Sequence, residues 1–262
     1  MSRRVPVVRF SNGGPRPDDD FLAEEAPLEI LLEHSFKNQR RSTPWGITLR
    51  TPGHDPDLAT GLLFSEAHIQ SPAAIAEITH LDPNRLLVSL TPDIDIDLAR
   101  PRAASAACGF CGSPNLPAAE PLEDHGFRLP WPALAQLPAA LEAFQLAHQN
   151  TGAMHAAALF DSAGRILAVR EDVGRHNAVD KLIGWALRQP ALDLQQTGLL
   201  LSGRAGFELL HKAARARIPF VAAIGAPTTL SVDLARHANI TLAGFLRPAK
   251  ANVYTGAYRL LP

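Results

Sequence analysis

Cysteine is nearly absent: the 262 residues contain two, at positions 108 and 111. That excludes a disulfide framework, and a chain long enough to bury a large core needs no such staples. No apolar run is long enough to span a bilayer. The opening Met1-Ser2-Arg3-Arg4-Val5-Pro6 reaches Gly13-Gly14-Pro15 without the apolar stretch of a signal peptide. Nor does either sign of charge dominate, with 25 Lys and Arg against 26 Asp and Glu. The expectation is a cytoplasmic protein with a reduced dithiol, and neither membrane nor nucleic acid as a partner.

The composition that remains, 46% hydrophobic and 19% charged, is that of a folded globular protein. Charge is unevenly placed: from residue 201 onward eight basic residues face two acidic ones, while the preceding part is acidic by seven. Such a block could meet a polyanionic ligand, although Lys212, Arg215 and Arg217 read as one solvated helix face.

Along the chain, the Gly-, Pro- and Asp-rich opening predicts a flexible arm over residues 1–20. Pro27 to His34, Trp45 to Arg50, Ile75 to His80 and Arg85 to Leu90 are β-prone, with a helix from Asp55 to Ala67 between them, so residues 21–98 form a β-rich region. Asp93, Asp95 and Asp97 alternate with Ile94 and Ile96 but lack the glycine and terminal Glu of a calcium loop, and read as an exposed strand edge. Residues 99–130 lack periodicity and read as a long loop bearing both cysteines. Leu134, Leu137, Leu141 and Phe144 then mark one amphipathic helix. From Met154 onward strands and helices alternate, so residues 131–262 are expected to form an α/β domain whose later strands are mainly parallel.

A Cys-x-x-Cys pair brings two sulfurs close enough for one thiolate to react and the other to resolve. Three chemistries compete for Cys108-Gly109-Phe110-Cys111. Structural zinc lacks a second ligand pair. A thioredoxin-like redox site belongs between a strand and a helix near the start of a βαβ pattern, not in a Pro- and Gly-rich connection. Sulfur relay makes neither demand. Zinc-dependent deamination is disfavoured as well, because His155-Ala156-Ala157 lacks the catalytic Glu and follows the cysteines instead of preceding them.

Several further motifs carry a resemblance. Cys-Gly-Phe-Cys-Gly at 108–112, Thr-Gly-Ala-Met-His at 151–155 and Glu-Asp-Val-Gly-Arg-His-Asn-Ala-Val-Asp-Lys at 171–181 resemble the formate dehydrogenase accessory sulfurtransferases of the FdhD type. The likeness extends through Pro27-Leu28-Glu29-Ile30, Arg50-Thr51-Pro52-Gly53, Gly61 to Glu66, Leu201-Ser202-Gly203-Arg204 and Gly225-Ala226-Pro227-Thr228.

The resemblance implies an α/β fold: an N-terminal β-rich region and a C-terminal cytidine-deaminase-like layered domain without the zinc site. It implies that a cysteine desulfurase loads Cys108 as a persulfide, assisted or resolved by Cys111. The sulfur then passes to Mo-bis(molybdopterin guanine dinucleotide), a bound client, before insertion into formate dehydrogenase. It further implies a homodimer with no metal of its own. The family's cofactor-binding segment maps onto Phe245, Leu246, Arg247, Pro248, Ala249 and Lys250, where Pro248 and Ala249 stand in a stretch that relatives often make glycine-containing. A non-catalytic cofactor-binding chaperone is the competing class. Arg175, His176 and Asn177, with Ser202-Gly203-Arg204, lie at predicted strand ends where α/β ligands gather. The turn from Gly225 to Thr229 could offer amides to a diphosphate, though helix capping alone accounts for its threonines. His155 reads as a core or edge histidine without a role.

Overall fold

The computed structural model describes residues 2–36, 39–92 and 119–262. The chain opens on β1 (Ser2–Ser11) and β2 (Gly14–Ala23), which pair antiparallel around Asn12-Gly13. The sequence predicts a flexible arm over residues 1–20, and from Ser2 onward the chain is instead a hairpin. Gly14, at φ +89°, supplies the left-handed residue that closes the hairpin, a signal diluted in the sequence by Pro15, Pro17 and three aspartates. β3 (Ala26–Phe36) and β4 (Gln39–Arg50) follow, then α1 (Asp55–Ser65), β5 (Ile75–Asp82) and β6 (Arg85–Leu90). Strands β3 to β6 form one sheet in the order β4-β3-β6-β5.

After residue 119 come β7 (Leu129–Pro130), α2 (Trp131–Glu142), α3 (Leu146–Thr151), β8 (His155–Phe160), β9 (Ile166–Asp172), α4 (Arg175–Leu187) and β10 (Gly198–Leu201). Then follow α5 (Phe207–Arg215), β11 (Phe220–Ala223), α6 (Thr229–His237), β12 (Thr241–Arg247), β13 (Lys250–Thr255) and β14 (Leu260–Leu261). Six of the strands form the central sheet, β13-β12-β11-β10-β8-β9, in which β10, β11 and β12 are mutually parallel while β8 and β13 run against their neighbours.

Both faces of this sheet are buried, and successive strand residues alternate between two cores. Ala157, Leu159, Leu199, Leu201 and Val221 join one cluster with Leu58 and Leu63 of α1, Val179 and Leu182 of α4, and Leu28, Ile30 and Val88 of the four-stranded sheet. Ala156, Ala158, Phe160, Leu200 and Phe220 face the other way, against Phe127, Leu129 and Leu134, Leu137 and Leu141 of α2. The N-terminal sheet and the α/β part therefore share one core.

Two glycines set the closest helix crossing. A Cβ on Gly61 of α1 would lie 1.9 Å from the Asp180 carbonyl oxygen of α4, and one on Gly184 of α4 would lie 1.9 Å from the Asp57 carbonyl oxygen of α1. The helices touch backbone to backbone, and only glycine fits there.

The single helix expected through Phe144 is broken. α2 ends at Glu142, Phe144 is 54% exposed, and α3 begins at Leu146. The break is tertiary in origin: the Glu171 carboxylate of β9 accepts from the amides of Ala147 and His148 at 3.0 and 2.9 Å, starting a new helix.

Candidate functional site

Cys108 and Cys111 lie outside the described residues, as do Asp93, Asp95 and Asp97. The remaining motifs converge on one edge of the central sheet. β9, β10, β11 and β12 all end there, β8 starts there, and α4 and α5 begin there. The carboxyl edge of parallel strands is where open α/β sheets bind ligands.

At that edge the segments run side by side. The Ala205 amide donates to the Ala226 carbonyl at 3.1 Å, Gly225 to Gly203 at 2.9 Å, and Phe245 to Gly225 at 3.0 Å. A Cβ on Gly225 would sit 2.7 Å from the Gly203 backbone, so glycine at 225 permits this stacking. The structure thus brings together Ser202-Gly203-Arg204, Gly225 to Thr228 and the start of Phe245 to Lys250.

Segment 245–250 covers the end of β12, the Pro248-Ala249 turn and the first residue of β13. Arg247 pairs with Lys250 across it, leaving Pro248 and Ala249 at the tip. Phe245 adopts φ +53° and is 45% exposed, while Leu246 is fully buried in the core on the α2 side and anchors the turn. Arg247, Pro248, Ala249 and Lys250 are exposed, and Arg247 Nη1 donates to the Ile224 carbonyl at 2.8 Å, tying the tip to the end of β11. The bend forms without glycine, and β13 itself was not legible as a strand.

Behind the edge, much of the 171–181 motif is structural. The buried Asp172 carboxylate accepts from the amides of Gly174 and Thr51 at 2.8 and 3.1 Å and from Asn177 Nδ2 at 3.2 Å, and it pairs with buried Lys181 at 2.7 Å. Lys181 also donates to the Thr51 carbonyl at 2.8 Å, and Asn177 to the Leu49 carbonyl at 2.7 Å. One carboxylate thereby fixes the β9–α4 turn and ties it to the N-terminal sheet. Arg50, fully buried, is bidentate to Asp55 at 3.0 and 2.9 Å.

The basic C-terminal block is partly spent inside the protein, contrary to a solvated helix face. Lys212 is buried and donates to both Asp180 oxygens at 2.7 and 2.8 Å, and Asp180 also accepts from Ser65 Oγ at 2.8 Å. Arg215 donates to the carbonyls of Phe64 and Ile69 and lies over the Phe64 ring. Only Arg217 of the three keeps to an exposed contact, with Gln195. Thr228 is an N-cap in a reciprocal pair with Ser231, so its hydroxyl is occupied by capping.

Two histidines occupy the edge: His176, a candidate from its place at a strand end, and His155, to which the sequence gives no role. His176 Nε2 is 2.7 Å from the Glu208 carboxylate, linking the first turns of α4 and α5. Burial, reinforced by the charges of Arg175, Lys212 and His155, holds the imidazole at about 3, so at neutral pH it is a neutral donor to Glu208. Half-buried His155 faces Gly203, and burial together with Arg175, His148 and Arg204 also pushes its pKa down. Among the described residues no group of three His, Cys, Asp or Glu could hold a metal ion, and no helix is long and apolar enough to cross a membrane.

Comparison with known proteins places this arrangement. Residues 23–261 match the model of the FdhD/NarQ family. The chain is 42% identical to a sulfur carrier protein FdhD of Nocardia farcinica, over 99% of this chain and 95% of that one. It is 36% identical to the protein of that name from Sulfolobus acidocaldarius, over 98% of each. A crystal structure of a formate dehydrogenase accessory protein from Desulfotalea psychrophila superposes over the whole of both chains with a TM-score of 0.74 at 24% identity, which establishes the common fold. With the motif segments meeting at one sheet edge and a match that runs nearly end to end, the chain belongs to the FdhD/NarQ family.

Proposed function

We propose that the protein is a sulfur carrier acting for formate dehydrogenase, with Cys108 as the carrying group. The observation that carries this reading is the near full-length identity to sulfur carrier proteins in a chain whose two cysteines are the Cys-x-x-Cys pair. The Cys108 thiolate attacks the outer sulfur of a cysteine desulfurase persulfide, the desulfurase thiolate leaves, and Cys108 becomes the persulfide. Cys111 assists or resolves that intermediate. The recipient, bound as substrate, is the Mo-bis(molybdopterin guanine dinucleotide) cofactor destined for formate dehydrogenase.

The exposed β12–β13 turn supports the binding half of the reading. Arg247 and Lys250 flank a short, braced turn at the carboxyl edge of the sheet, and in this reading their charges meet the phosphate oxygens. The same reading has the protein working in the cytoplasm as a homodimer. The test is complementation of a strain lacking its own sulfur carrier: the wild-type chain restores formate dehydrogenase activity and Cys108→Ser does not. Restoration by Cys108→Ser would favour a chaperone that binds the cofactor without carrying sulfur.

A further inference from the structure

The motifs meeting at the sheet edge divide into residues with a structural task and residues without one. In 171–181, Glu171 starts α3, Asp172 and Asn177 hold the turn, Asp180 pairs with Lys212 and Lys181 with Asp172. In 151–155, the Thr151 hydroxyl donates to the Ala147 carbonyl, Gly152 ends α3 at φ +67°, and Met154 receives the Thr51 hydroxyl at its sulfur. In 201–204, Ser202 Oγ accepts from the Ala156 amide at 2.8 Å, and the His155 ring lies beside Gly203, where an added Cβ would meet it at 3.4 Å.

What is left is His155, Arg175 and Arg204. Among the described residues no hydrogen bond or ion pair holds Arg175 or Arg204. They stand at the first turn of α4 and in the loop leading to α5, and the N-caps of those helices, Gly174 and Gly206, supply no side-chain cap. Two carboxylates of this edge are committed elsewhere: Asp172 to Lys181 and its amide donors, Glu208 to His176. Two guanidinium groups without a partner among the described residues, both close enough to act on the His155 imidazole at the carboxyl edge of the sheet, offer the donors that an anion with several oxygens needs.

We propose that Arg175, Arg204 and His155 form a second binding site, separate from the β12–β13 turn, that takes a phosphate or diphosphate group. Arg175 and Arg204 clamp the anion, His155 donates one N–H to it, and the His176–Glu208 bond fixes the spacing of α4 and α5 as a positioning contact. The inference rests on the cofactor-binding reading only in naming the diphosphate of a guanine dinucleotide as the occupant.

Calorimetric titration of the full chain with inorganic pyrophosphate and with GDP tests it. Both should bind, and Arg175→Ala with Arg204→Ala should weaken pyrophosphate by about tenfold or more per arginine, given the worth of hydrogen bonds to charged groups. Arg247→Ala with Lys250→Ala should leave pyrophosphate binding within about twofold while weakening GDP. Since Arg175 and Arg204 make no hydrogen bond or ion pair with the described residues, their variants should melt like the wild type. Pyrophosphate that fails to bind the wild type, or binds the Arg175 and Arg204 variant equally well, overturns the site. Equal loss in the Arg247 and Lys250 variant overturns its separateness. Pyrophosphate held by the arginines without GDP binding would uphold the site and count against the cofactor reading.

Discussion

Replacing Gly184 by alanine sets two physical effects against each other. Helix propensity favours alanine over glycine in a helix interior by about 1 kcal/mol. Against it stands the crossing of α1 and α4, where the new methyl would lie 1.9 Å from the Asp57 carbonyl oxygen and 2.7 Å from the Gly61 amide nitrogen. A relaxed carbon–oxygen contact is roughly 3.3 Å, so the helices must part by more than 1 Å or so. A gap of that size forfeits a quarter to a half of the dispersion energy of each contact it opens, roughly, and buried residues such as Leu58 and Leu182 contribute many such contacts. Overpacking at its upper range, about 3 kcal/mol, outweighs propensity for a net loss of about 2 kcal/mol, which lowers Tm by roughly 6 °C in a chain of this size. Urea and thermal unfolding measure it, with Gly206→Ala as control because nothing lies within 4 Å of its new methyl. Equal or greater stability in Gly184→Ala would refute the backbone-to-backbone crossing, and with it the account of how α4 holds Arg175 and His176 at the sheet edge.

Asp172→Ala leaves the Lys181 ammonium buried with one carbonyl partner and should cost about 3–5 kcal/mol in urea unfolding, whereas a loss under 1 kcal/mol or so would mean the turn is held by other contacts. His176 and His211 are held by burial at about 3 and about 4, below 6.5 in the unfolded chain, so between those values the unfolded state binds protons that the native state does not. Stability contributed by these groups is complete above about 6.5 and declines as pH falls towards 4. His211→Asn should therefore narrow the gap in urea midpoint between pH 7 and pH 5, and an unchanged gap would contradict the assignment. Arg247→Ala with Lys250→Ala should weaken GDP binding, with the loss shrinking at high salt; a salt-independent loss would point to a packing defect in the turn.

The sequence made the strand and helix order from residue 26 onward legible wherever burial follows a local period: β8, β10 and β11 are near-continuous apolar runs, and β3 and β6 alternate buried with less buried positions. Features set by distant partners were not legible. The break between α2 and α3 depends on Glu171, more than twenty residues away, and Lys212 and Arg215 look like surface cations until Asp180 and the Phe64 carbonyl are placed beside them. The site followed the same rule. Local motifs marked Arg175, His176 and Arg204 as candidates, but only their neighbours separate residues that hold the turn from those left to meet a ligand. His155 carried no local signal, because its meaning comes from Gly203 and the two arginines across the sheet edge.

The central claim is that sulfur travels on Cys108. Incubating the protein with a cysteine desulfurase and cysteine, then weighing it intact without reductant, should show a gain of about 32 Da that dithiothreitol removes and that Cys108→Ser abolishes. An unchanged mass in the wild type, or an adduct that survives in Cys108→Ser, would contradict it.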